Sequence, residues 1–148
     1  MATIKRATLG DAQRIAELFD DYRQFYEMPP NPDLALSFIY NRLKNSEATI
    51  FAAERASDII GFCQIYPSFC SVHAAPICIL SDLFVTPSSR GSGAGSHLLE
   101  AAEAFARQTG AVRITLQTAT TNHLAQGIYE AKGWIRNTTL YGYAKRLA

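Results

Sequence analysis

Residues 83–98 read LFVTPSSRGSGAGSHL. An apolar, strand-like run from Leu83 to Val85 leads through a proline turn to Arg90. Gly91, Gly93 and Gly95 then alternate with small residues before a periodic apolar segment begins at Leu98. A glycine-dense turn between a strand and a helix leaves backbone amides unobstructed at the positive end of a helix dipole, a setting suited to phosphate. The plainer possibility is a loop whose glycines only permit tight packing. Two familiar phosphate motifs fail by spacing. A dinucleotide fingerprint G-x-G-x-x-G counted from Gly91 needs glycine where Ser96 stands, and counted from Gly93 it needs glycine where Leu98 stands. A P-loop requires a Gly-Lys pair, and no lysine occurs between Lys44 and Lys132. What remains is a row of amides, Gly91, Ser92, Gly93, Ala94, Gly95 and Ser96, with Arg90 at its edge, arranged for a pyrophosphate.

The flanking pattern predicts an α/β domain. Thr3 to Ala7 reads as a short strand, and Thr8 with Asp11 has capping-box spacing, so a helix is expected from about Gly10. Ala12, Ile15, Phe19, Tyr22 and Tyr26 form an apolar stripe on it. Asn31 and Pro32 suit the cap and first turn of a second helix to about Asn45. Two β-rich runs, 48–56 and 59–69, are joined by Ser57-Asp58 and predict an antiparallel hairpin. A strand over 77–85, a helix ending at Gly110 and a strand over 112–118 make a strand, helix, strand unit that pairs its strands in parallel. A helix over 122–132 and a terminal hairpin over 134–144 complete the pattern.

The 148 residues fit one domain, 1–148, with enough chain to bury a core unaided. A net charge of +1 without a basic tract argues against a nucleic-acid partner. The longest apolar stretches fall short of the roughly 18 to 20 residues of a membrane span. The N-terminal MATIKRATLGDAQ carries no apolar core of a secretory signal, so a cytoplasmic location is expected. Cys63, Cys70 and Cys78 lack metal-ligand spacing and read as reduced structural residues. No metal is expected.

Arg90, Gly93 and Gly95, preceded by Leu83, Phe84, Val85 and Pro87, resemble the pyrophosphate motif of the GCN5-related N-acetyltransferase (GNAT) family. Asn122, Ala125, Tyr129, Gly133 and Trp134 are similar to that family's second motif, in the right order. More narrowly, SDLFV and NHLAQ resemble its polyamine and small histone-type branch. The resemblance implies one GNAT-like domain: a mixed, mostly antiparallel sheet of six to seven strands with a splayed parallel pair, flanked by about four helices. It implies acetyl-CoA as cosubstrate, the backbone of Leu83 and Val85 along the pantetheine arm, and Asn122 touching that arm. The activity implied is acetyl transfer to a primary amine by direct attack in a ternary complex.

Transfer from a thioester to an amine needs a base for the ammonium and an acid for the leaving thiolate. Tyr129 fits the acid, since a phenol is protonated at neutral pH, and it lies two helical turns after Asn122; aromatic packing is the plainer role. Asp82 is the acidic residue nearest the expected thioester. Three roles are open to it: base, holder of a cationic substrate, or structural partner. The related polyamine enzymes carry Glu-Asp where this chain has Ser81-Asp82, so their expected glutamate is missing. Glu54 is a weaker base. His73, His97 and His123 read as surface or packing residues.

The acceptor side in such folds is formed by the first two helices, here DDYRQFYEMPPNPD. Tyr22, Tyr26 and Glu27 are the candidate substrate residues. Acids and aromatics together would attract a cationic amine, although acids on an amphipathic helix also simply face water. A small or polyamine-like primary amine is the expected acceptor, a protein lysine the second, and a homodimer the expected assembly. The alternative is a non-catalytic acyl-CoA-binding or sensing module.

Overall fold

The computed structural model describes residues 1–148. They divide into two compact units, Met1–Leu116 and Gln117–Ala148. In the first unit, β1 (Thr3–Arg6), β2 (Thr49–Arg55), β3 (Asp58–Cys70), β4 (Ala75–Val85) and β5 (Ile114–Leu116) lie side by side in chain order. The first three pairings are antiparallel and β4 pairs β5 in parallel. Around this sheet stand α1 (Ala12–Phe25), α2 (Pro32–Lys44) and α3 (Ala94–Gln108). The second unit holds one helix, α4 (His123–Ala131). No helix is long and apolar enough to cross a membrane.

Local sequence explains most of these boundaries. Asp11 Oδ2 accepts the Thr8 amide at 2.9 Å, and a single 3₁₀ turn precedes α1. Asn31 Oδ1 accepts the Leu34 amide at 3.2 Å and Pro32 opens α2, where its missing N–H costs nothing. Ala56 and Ser57 both take positive φ, as a two-residue hairpin turn between twisted strands requires.

The α1 stripe and α2 cover one face of the sheet. Ile15, Leu18 and Phe19 pack with Ala35 and Ile39 against Ile50, Phe62 and Phe84. Each buried Ile, Leu or Phe among them contributes about 1.5–3 kcal/mol. On the other face, α3 buries Leu98, Leu99, Ala102 and Ala106, and Phe105 meets Phe51 edge-on. Cys63 and Cys78 are buried free thiols.

The sheet has five strands where six to seven were expected, because the anticipated hairpin over 134–144 does not form. Asn137 Oδ1 there accepts the amides of Thr139 and Leu140, a local turn that satisfies backbone groups without a strand partner. The apolar side chains of this segment, Tyr143 among them at 95% exposure, bury little that would hold two strands together. The strand expected over 112–118 is shorter, only Ile114–Leu116.

Candidate active site

Two features of β4 build the site. The pairing of β3 with β4 shifts register between Gln64↔Asp82 and Ile65↔Leu80, leaving Ser81 as an extra residue. Such a bulge bends a strand and re-aims its side chains. The parallel pairing with β5 stops at Leu80↔Leu116, so the splay begins at the same place. Beyond it β5 offers no partner to Leu83 and Val85.

Asp82, only 8% exposed, follows the bulge. Its Oδ2 accepts the Gln64 Nε2 amide at 2.6 Å, and Gln64 is wholly buried with its own Oε1 unpartnered. The Tyr22 hydroxyl donates to the Ser81 carbonyl at 3.3 Å. Burial lifts the Asp82 carboxyl above its ordinary range, while hydrogen bonds from Gln64, Tyr22 and Ser81 pull it partly back. Burial first, and the Asp82 charge second, push the Tyr22 phenol well above its ordinary value. No cation neutralises Asp82 among these neighbours.

Asp82 opens on a cleft of about 380 Å³ between α1 and α2. Phe19, Tyr22, Tyr26 and Phe38 give it aromatic walls, with Met28 and Leu34 toward its rim and Arg23 at one side. Tyr22 and Tyr26 meet edge-on at 5.1 Å, and Phe19 stacks on Phe38 at 5.3 Å. Arg23 Nη1 pairs with the buried Asp20 carboxylate at 2.9 Å, and the same oxygen accepts the Asn31 amide at 3.0 Å. That ion pair ties α1 to the start of α2.

The structure thus brings Tyr22, Tyr26 and Asp82 to one cleft. Glu27 does not line it; it is exposed, in a left-handed turn residue at φ 64. Glu54 is engaged by Lys5 at 3.0 Å and stands opposite Ile59, well along β2 from the Gln64 register. Met28 and Arg23 lie in the stretch expected to face the acceptor, whereas Gln64, Phe38 and Leu34 were not anticipated as site residues. One signal was available for Gln64: it is the lone amide side chain in an otherwise apolar and aromatic run, IIGFCQIY.

Past the C-terminal end of β4, Gly91 and Gly93 sit at φ 80 and 87, left-handed conformations that other residues resist. Gly93 caps α3, whose first amides, those of Ala94, Gly95 and Ser96, have no intrahelical acceptor. A Cβ on Gly91 would meet nothing within 4 Å, so the loop's outer side is open. Ser92 Oγ donates to the Ser89 carbonyl at 2.6 Å, bracing the turn. Arg90 Nε donates to the Val85 carbonyl at 3.1 Å and its guanidinium lies over Phe84 at 5.5 Å. This cradle fits a pyrophosphate: its donors are backbone amides and its approach is unobstructed.

In the second unit, Asn122 Oδ1 accepts the Ala125 amide at 3.2 Å and so starts α4. Tyr129 lies two turns further on, its ring 6.1 Å from that of Trp134, whose amide donates to the Tyr129 carbonyl.

The chain matches the acetyltransferase (GNAT) family over residues 12–134. It is 44% identical over 140 residues to the uncharacterized N-acetyltransferase YhfO of Bacillus subtilis (strain 168), covering 95% of this chain and 94% of that one. A crystal structure of a probable acetyltransferase is similar at a TM-score of 0.92 and 34% identity, covering 99% of this chain and 98% of that one. The D-amino-acid N-acetyltransferase HPA3 of Saccharomyces cerevisiae (strain ATCC 204508 / S288c) is 27% identical over 142 residues, covering 93% of this chain and 88% of that one. With its bulged β4, its glycine cradle and these relatives, the chain belongs to the acetyltransferase (GNAT) family and is an acetyltransferase that depends on acetyl-CoA.

Proposed function

We propose that the protein transfers the acetyl group to the nitrogen of a small primary amine, with a protein lysine as the second acceptor class. The observation that carries this reading is Asp82, a buried carboxylate without a cationic partner at the wall of an apolar cleft. Such a group gains most from a ligand that arrives as an ammonium. Support for this reading comes from HPA3, a relative named a D-amino-acid N-acetyltransferase, since an amino acid offers a single amine of that general kind.

In this proposal the amides of Gly91 to Ser96 and Arg90 hold the pyrophosphate, the backbone of Leu83 and Val85 lies along the pantetheine arm, and Asn122 touches it. The bound cosubstrate supplies an acetyl group activated as a thioester. Asp82 draws the ammonium into the cleft and takes its proton, freeing the lone pair that forms the new N–C bond. As the C–S bond breaks, Tyr129 gives its phenolic proton to the departing thiolate, and the second proton, shed by the nitrogen as the amide forms, passes through solvent and restores the phenol. The raised affinity of Asp82 for a proton narrows the gap to the amine it must deprotonate. A cytoplasmic homodimer is the proposed setting.

An amine panel with purified protein and acetyl-CoA tests the proposal. Amine-dependent thiol release matched by N-acetylated product is expected. Binding of acetyl-CoA with no amine-stimulated release would instead support a sensing module.

A further inference from the structure

Granting amine transfer at Asp82, we propose that the preferred acceptor is a monoamine with an apolar body, aromatic or alkyl, and not a polyamine. The charges around the cleft decide this. Asp20, the other buried acid beside it, is consumed: Arg23 Nη1, the Asn31 amide and the Gln24 side chain all reach it. Asp82 receives only the neutral Gln64 amide and neighbouring hydroxyls. The cleft therefore holds one uncompensated negative charge and accommodates one ammonium.

Everything else along the cavity favours hydrocarbon. Its remaining walls are four aromatic rings with Met28 and Leu34, and the other charged side chain lining it, Arg23, is a cation already paired with Asp20. A second ammonium on the same ligand would sit against rings, or beside an Arg23–Asp20 pair whose carboxylate is already taken, and would lose its hydration without gaining a counter-ion. The acid expected to receive it, Glu27, does not line the cleft. An apolar body of moderate size gains instead from desolvation and ring contacts. The volume of about 380 Å³ is at the small end of ligand cavities, which matches a compact amine better than a folded chain.

The test compares kcat/KM for phenethylamine and hexylamine with that for butane-1,4-diamine and spermidine at saturating acetyl-CoA. A preference of about tenfold or more for the apolar monoamines is expected. Leu34 is 52% exposed, so Leu34→Asp tolerates folding and places a second carboxylate at the cleft. It is expected to raise KM for phenethylamine about tenfold and to improve the diamine. Calorimetric titration of phenethylamine into the cosubstrate-free protein should give saturable binding that Leu34→Asp weakens. Equal or better turnover of spermidine by the unsubstituted protein, or an unchanged ratio in Leu34→Asp, would overturn this specificity while leaving amine transfer intact. Failure of every amine, with acetyl-CoA still bound, would remove amine transfer itself and the specificity with it.

Discussion

The Gln64 side-chain amide donates to the Asp82 carboxylate at 2.6 Å, across the register shift that leaves Ser81 unpaired on β4. This contact is the strongest influence holding the carboxyl down against burial. Gln64→Met keeps the volume and removes the donor. The acid limb of the rate profile should then move to higher pH, since Asp82 would hold its proton more tightly. An unmoved limb would mean that Gln64 only packs.

Asp82 also links pH to stability. Its carboxyl titrates higher in the folded chain than in the unfolded one, so the folded state binds this proton more tightly between the two values. Its contribution to stability is fullest below the ordinary carboxylate range and is lost as pH rises through the raised value. Asp82→Asn cannot lose a proton there. The variant should therefore melt at a higher temperature than the parent near neutral pH, with the gap closing in acid. Thermal melts across pH read this directly.

The Asp20–Arg23 pair is a structural strap. Both side chains are largely buried, and Asp20 also anchors the Asn31 amide at the head of α2. Asp20→Ala would strand the guanidinium, a loss of about 3–5 kcal/mol by precedent for broken buried pairs. A urea midpoint lowered accordingly is expected. Asp20→Asn, which keeps the hydrogen-bond acceptor, should lose less.

Gly93 combines a left-handed φ with the N-cap of α3. Gly93→Ala should cost about 1–2 kcal/mol of stability from backbone strain. It should also weaken acetyl-CoA binding, measured by calorimetry, more than it affects the acceptor's KM. Equal losses on both sides would contradict a cradle confined to the phosphates.

How much of this was legible in the chain depends on whether the signal is local. The capping pairs Thr8 with Asp11 and Asn31 with Leu34, the hairpin turn and the glycine loop act within a few residues; each lies where the pattern placed it except the turn, which falls at Ala56-Ser57, one residue before the expected Ser57-Asp58. Helix period put Tyr22 and Tyr26 on one stripe, but their assignment to the acceptor side, and that of Asp82 to the thioester, came from the family resemblance; the cleft they share is a finding of the structure. The Ser81 bulge, the Gln64 partner and the neutralisation of Asp20 depend on register between distant strands and on which rotamer meets which neighbour, and periodicity carries neither. The terminal segment shows the opposite error. Trp134 to Ala144 has strand-like composition, but a strand exists only when paired, and Asn137 closes a local turn there instead.

The most direct measurement is the pH dependence of kcat for an accepted amine, taken with saturating acetyl-CoA on the parent protein and on Asp82→Asn. The account predicts an acid limb lying above the ordinary carboxylate range in the parent. In the variant that limb should vanish and kcat should fall by about 10²–10⁴-fold, the usual contribution of a positioned base. An Asp82→Asn protein that keeps the parent's rate and the same acid limb would contradict it.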